Sequence, residues 1–395
     1  MGSLGEMKDF STVGPARLRG LLVIRGSFSH INAQLEAALR KVRPEITLDV
    51  IDVGKEFKEN MLSQLRCLLG VQREYGLSSW SSKDMLRYRL ARSRAYYQAV
   101  SETVRDRFDP ADYDFTLQTQ SLFNAALPGI PNFVYTDHVA RAGMSSLQGL
   151  FGAPSDGWFA CESQIYTQAQ HVFTFGPKIR RMLLEQYGIA PDKTSAIGAG
   201  ASVLPKRPVE LSTERFARRR ILFVGVDWER KGGPELVDAF KLLRERLPDV
   251  TLTVIGCSPD VQVEGVEVLG RLPLEEVAEH FHEAACFCMP SRLEPFGVVF
   301  CEAMQFGLPV VATDVGDIGS IVVEGETGHV VPARNPEALS EALFQTLAMP
   351  DRALRLGTAA KARAPQFTWD AVAQRIAAHF PGEPAAPRAE LEVAW

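Results

Sequence analysis

Short β-type apolar runs alternate with longer amphipathic runs along most of this chain, a pattern that commits it to parallel sheets crossed by helices. Leu21–Ile24, Thr47–Val53, Asp114–Gln118, Asn132–Tyr135 and His171–Phe175 read as a first series of strands, with helices over Ile31–Arg43 and Ser82–Phe108. The pattern restarts with strands at Arg220–Val226, Thr251–Ile255, Glu267–Leu269, Cys286–Met289 and Pro309–Thr313. Helices are expected over Pro234–Leu247, Leu274–Glu283, Val298–Phe306 and Pro336–Ala348. At 395 residues the chain is about twice a typical domain. Two doubly wound, Rossmann-like α/β domains facing across a cleft are therefore expected, over 1–204 and 220–365. Residues 205–219, rich in Pro and charge, read as a linker, and 381–395 as a disordered tail.

Composition narrows the class. The hydrophobic fraction of 46% and charged fraction of 23% exclude a disordered or collagen-like chain. No apolar run approaches the ~20 residues of a membrane span. Six scattered cysteines and a charged, glycine-containing start suggest neither a disulfide framework nor a secretory signal, so a cytoplasmic protein is expected. Net charge is uneven: 23 Lys and Arg oppose 20 Asp and Glu before Pro205, but 20 oppose 28 after it.

Two strings carry chemistry. In FVGVDWERKGG, Phe223–Gly233, a strand ends at Gly225 and the cations Arg230 and Lys231 precede two glycines and a helix opened by Pro234. Cations at a strand-to-helix turn suit an anion such as a diphosphate, although a solvated turn has the same signature. PSRLEPFGVVFCEAMQFGLPVVAT, Pro290–Thr313, is more specific. It leaves a buried strand, passes Glu294 in a loop, and opens a helix near Phe296, Gly297 and Val298 that carries Glu302. Unpaired amides at such a helix start bind phosphate without a metal. Glu302 stands roughly 7–8 Å further along the axis, comparable to the span of a diphosphate. One carboxylate is thus placed for ribose hydroxyls and the other for a sugar.

The pair Glu294 and Glu302 resembles the E-x7-E motif of retaining glycosyltransferases of the GT-B fold, and its surroundings look like family 4, the glycosyl transferases group 1. The similarity extends to the Lys231 loop, Leu269–Pro273, Gly325–Leu339 and Phe367–Ile376. The resemblance implies sugar transfer from a nucleotide diphosphate sugar, such as a UDP- or GDP-sugar, to a glycan, lipid-linked or small-molecule hydroxyl, as in polysaccharide or glycoconjugate synthesis. It implies that Arg230 or Lys231 neutralises the departing diphosphate, Glu302 holds the ribose, and Glu294 meets the donor sugar. The backbone near Arg271 and Leu272 then faces the base, and amides at Phe296–Val298 face sugar or phosphate. Gly225, and Gly26 in the first half, permit close backbone approach to the donor. A metal cofactor is not expected, and 366–380 is expected to cross back onto the first domain. Val226, Gly319 and Ser320 depart from the family pattern, where relatives often carry Arg, a small residue or proline, and Glu.

In YTDHVARAG, Tyr135–Gly143, His138 follows a strand and is the best candidate for the cleft histidine of the family, with Asp137 as its alternative. Asp112-Tyr113-Asp114 spells a metal-binding D-x-D but reads better as a strand entry. The arginines of 83–107 suggest peripheral contact with an anionic membrane at its inner face, or a solvated helix; no nucleic-acid partner is indicated. A nucleotide-sugar-binding protein without transferase activity, or another enzyme on this fold such as an epimerase, are the alternatives.

Overall fold

The structure is a computed structural model, and it describes residues 18–26, 31–141 and 152–382. The first unit is a six-stranded sheet of β1 (Arg19–Ile24), β2 (Thr47–Asp52), β3 (Phe115–Thr119), β4 (Asn132–Thr136), β5 (His171–Thr174) and β6 (Thr194–Ala196), in the order β2-β1-β3-β4-β5-β6. The second comprises β7 (Arg220–Val224), β8 (Thr251–Ile255), β9 (Val266–Gly270), β10 (Cys286–Met289), β11 (Val310–Thr313) and β12 (Gly328–Val331), in the order β12-β11-β10-β7-β8-β9. Every named pair is parallel. Strands β3, β4, β5, β10 and β11 are buried along their whole length, as sheets covered by helices on both faces require.

Strand order reverses between β1 and β3 in the first sheet and between β7 and β10 in the second. Loops leaving the carboxyl ends of neighbouring strands diverge at such a point and open a crevice. The β7 loop carries Arg230 and Lys231, the β10 loop carries Glu294, and the β4 loop carries Asp137 and His138. Topology thus brings together residues from three distant stretches of sequence.

Several elements differ from the sequence-based expectation. The single helix over Ser82–Phe108 is two, Lys83–Ala91 and Arg94–Arg107, because the Ser93 side chain caps the second by accepting from the Tyr96 amide. Its arginines are consequently dispersed. Arg89 turns inward to donate to Ser78 and Ser79, Arg92 faces the crevice, and Arg87 and Arg107 pair with Asp84 and Glu56. Residues 205–219 are also more than a tether. They contain the helix Thr213–Ala217, whose buried Arg215 donates to the carbonyls of Glu210, Phe281, Ala284 and Phe306, fixing the segment to the second unit. The helices Val53–Glu59, Met61–Tyr75, Asp156–Gln168, Pro177–Tyr187 and Pro350–Arg363, with β6 and β12, are further elements of the two units.

The helix Trp369–Ala377 leaves the second unit and packs against Ile31–Val42 of the first. Phe380 then stacks on Phe115 with ring centroids 4.1 Å apart, and Arg375 donates to the Ile197 carbonyl. Where the units meet, Phe296 lies edge-on to Phe175 at 5.6 Å. Asp317 of the second unit accepts from the Lys178 amide, at the N-terminus of Pro177–Tyr187, at 2.7 Å. A side chain at Gly176 would put its Cβ 2.1 Å from the Asp317 Cγ, so only glycine admits this contact.

Candidate active site

The β7 and β10 loops are held together by their backbone. The Arg292 amide donates to the Arg230 carbonyl at 2.8 Å, and the Arg230 guanidinium donates to the Leu293 carbonyl at 3.0 Å. Gly232 closes the β7 loop at a φ of 75°, and any Cβ there would lie 1.9 Å from the Pro290 carbonyl oxygen. This close approach aims Lys231 at the β10 loop, where its ammonium is ion-paired with the buried Glu294 carboxylate. Arg230 stands 3.8 Å from the same carboxylate and is braced by Asp227. Two cations thus meet one acid at the mouth of the second sheet. An arriving diphosphate would find both cations and would release Glu294 for a neutral, hydroxyl-bearing group.

Glu294 also lines an inter-unit cleft of about 550 Å³. Asp137, His138, Arg92 and Glu162 face it from the first unit, and Arg292 and Asp317 from the second. Desolvation holds the His138 imidazole down at about 4, helped by the nearby Arg92 charge, so the ring is neutral at ordinary pH. Burial, with Glu294 as a neighbouring negative charge, pushes Asp137 up to about 6. Glu162 is a buried acid whose oxygens accept from the Ala140 amide and from the Tyr166 and Tyr187 hydroxyls. Among the described residues Arg92 makes no ion pair. Its guanidinium lies 4.1 Å above the ring of Tyr88.

A second cavity of about 430 Å³ adjoins the β7, β8 and β9 ends, lined by Val224, Gly256, Arg271, Leu272, Val298 and Glu302, among others. Its apolar walls and one carboxylate suit a nucleoside. The helix Val298–Gln305 begins after Gly297, whose φ of 91° few side chains tolerate, and carries Glu302 into this cavity. Glu302 accepts from the Ser202 and Val203 amides, each at 3.2 Å, and among the described residues no cation is ion-paired with it. Burial therefore outweighs the two amides and pushes its carboxyl up to about 7. Arg271 and Leu272 line the same cavity, while Gly225 packs against the Lys231 side chain and Gly256.

The structure places His138, Lys231, Arg230, Glu294, Glu302, Arg271, Leu272, Val298 and Gly225 in or beside these two cavities. Phe296 contributes only backbone, since its ring is buried between the units. Gly26 follows β1 and is braced by Asp52 and Asn32, but it is not among the residues lining either cavity. Sequence reasoning missed Glu162, which sits inside a helix with no motif around it, and gave Asp317 no role although its segment departs from the family pattern. The tested D-x-D string lies away from both cavities, with Asp114 accepting from the Arg19 amide at a strand entry. No group of three His, Cys, Asp or Glu side chains suited to a metal occurs among the described residues.

Residues 218–349 match the family model described as Glycosyl transferases group 1. The chain is 30% identical over 275 residues to D-inositol 3-phosphate glycosyltransferase of Corynebacterium glutamicum, covering 62% of this chain and 66% of that protein. It is 26% identical to glycogen synthase of Mycobacterium tuberculosis, covering 74% and 75%. The chain spans somewhat under two thirds of the length of the inositol 3-phosphate enzymes it matches, 57 to 66% for the first three. Among solved structures, WaaG, a glycosyltransferase involved in lipopolysaccharide biosynthesis, superposes with a TM-score of 0.62 at 15% identity, covering 92% of this chain and all of that one. Anabaena HepE in complex with UDP superposes at 0.62 and 16% identity, covering 91% and 98%. Over residues 218–349 the chain is thus similar to glycosyl transferases group 1, and the molecule has the GT-B fold.

Proposed function

We propose that the protein is a retaining glycosyltransferase that moves a sugar from a nucleoside diphosphate sugar to a hydroxyl acceptor. The observation that carries this reading is the Lys231–Glu294 ion pair, set between a nucleoside-sized cavity with Glu302 and a wider inter-unit cleft with His138. The nucleoside lies along Val298, Leu272 and Arg271 with its ribose on Glu302. The diphosphate lies against Lys231, Arg230 and the amides at Gly297 and Val298, and the sugar lies in the cleft beside Glu294 and His138. The bond from the anomeric carbon to the diphosphate breaks, the acceptor oxygen forms the new bond on the same face, and its proton passes to the departing phosphate oxygen. The cations stabilise the charge that develops there, with no resident metal. The relatives' names point to an inositol phosphate and to glycogen. Arg92 faces the cleft with no direct ion pair among the described residues, Glu162 and Asp137 lying only near it, and this favours a small acceptor that carries a negative charge over a neutral glycan.

The test is nucleotide release from UDP- and GDP-sugars with polyols, polyol phosphates and glycans, with and without a chelator. We expect release that requires one donor and one acceptor class and survives chelation. Lys231→Ala should lower it by about 10²–10³ with the fold retained. Tight nucleotide binding without release would instead mark a binding protein.

A further inference from the structure

The helix Met61–Tyr75 is apolar on the wrong side for a helix that only serves a core. Its inward face, with Cys67 and Val71, is buried, and Gly70 lies so close to Ala95 that a Cβ there would stand 2.4 Å from the alanine Cβ. On the opposite face Met61, Leu62, Leu65 and Leu69 recur at one-turn spacing and point to solvent. Leu77 and Trp80 extend this face through the turn Leu77–Trp80, and the Trp80 indole donates to Gln72 of the helix at 2.6 Å. These six side chains are 49 to 79% exposed. A contiguous apolar face of this kind marks an interaction surface.

Charge identifies the occupant. Between residues 55 and 80 the exposed basic side chains are Lys55, Lys58, Arg66 and Arg73, against one exposed acid, Glu59. Arg66 and Arg73 lie together along one edge of the apolar arc on the same helix. A second copy of the chain related by two-fold symmetry would set these cations against one another. We propose that this face docks on an anionic lipid surface, with the leucines and Met61 entering the headgroup–acyl boundary, Trp80 at its level, and the cations on the phosphates. The membrane contact is thus centred on residues 55–80 rather than on the arginines of 83–107, most of which are paired or turned inward.

Cosedimentation of the full chain with phosphatidylcholine vesicles, with and without phosphatidylglycerol, tests this without any donor. We expect binding only to the anionic vesicles, weakened by salt. Leu65→Gln together with Leu69→Gln should lower partitioning at least about tenfold, with circular dichroism unchanged. Equal binding by this variant, or no binding by the native chain, would overturn the proposal. So would a dimer in light scattering that the same variant dissociates. Because the readout involves no sugar transfer, its failure is separate from failure of the proposed activity.

Discussion

Glu302 shows how a single buried carboxylate ties stability to ligand. Its pKa rises from an ordinary 4.5 to about 7 on folding. Between those values the unfolded chain has already lost the proton that the folded chain still holds. Glu302 therefore subtracts stability as pH rises through that window. Urea unfolding from about pH 4.5 to 7 should give a steeper decline for the native chain than for Glu302→Gln. The comparison with the variant isolates this residue, because Asp137 and Asp317, both raised to about 6, act in the same direction, while His138, lowered to about 4, acts in the opposite one. Ribose hydroxyls donate more strongly to an ionised carboxylate than to a protonated one, so nucleotide affinity should rise as pH passes about 7, measured by calorimetry. Affinity that does not change there would remove Glu302 as the ribose contact.

At the scale of elements, the loops leaving β7 and β10 act as one unit. Gly232→Ala would press a methyl onto the Pro290 carbonyl and should cost about 2 kcal/mol or more in chemical denaturation, as well as most of the transfer rate, because Lys231 moves with its loop. A Cβ at Gly316 would lie 1.7 Å from the Glu294 carbonyl oxygen, so Gly316→Ala should displace the acid itself. These glycines also show why much of the site was legible. Lys231, Glu294 and Glu302 lie in short strings whose strand, turn and helix signals are local, and the parallel sheets follow from the period of the apolar runs. Glu162 and the Lys178–Asp317 contact were not legible, because their meaning depends on partners 25 and 139 residues away. The break at Ser93 was hidden for another reason. Arginine and alanine on both sides favour helix, and only the capping geometry shows the interruption.

Across the whole molecule, the opposing faces are joined by the Phe175–Phe296 contact and by Asp317 on the N-terminus of Pro177–Tyr187. The ionised carboxylate suits that helix end, and Lys178 and Arg181 add positive charge nearby. Burial raises Asp317 to about 6, so protonation below that pH weakens the clasp. Small-angle scattering should show a larger radius of gyration for Asp317→Ala than for the native chain at neutral pH, and a similar expansion of the native chain in acid. An unchanged radius in the variant would show that Asp317 does not hold the units together. The returning helix Trp369–Ala377 has a different consequence, one of timing. Phe380 is part of the first sheet's core, stacked on Phe115, yet it emerges from the ribosome after the whole second unit. Domains ordinarily fold in the order of their synthesis. Here the C-terminal sheet has its full sequence first, and the N-terminal one, although begun earlier, waits for the last helix before its interior is dry.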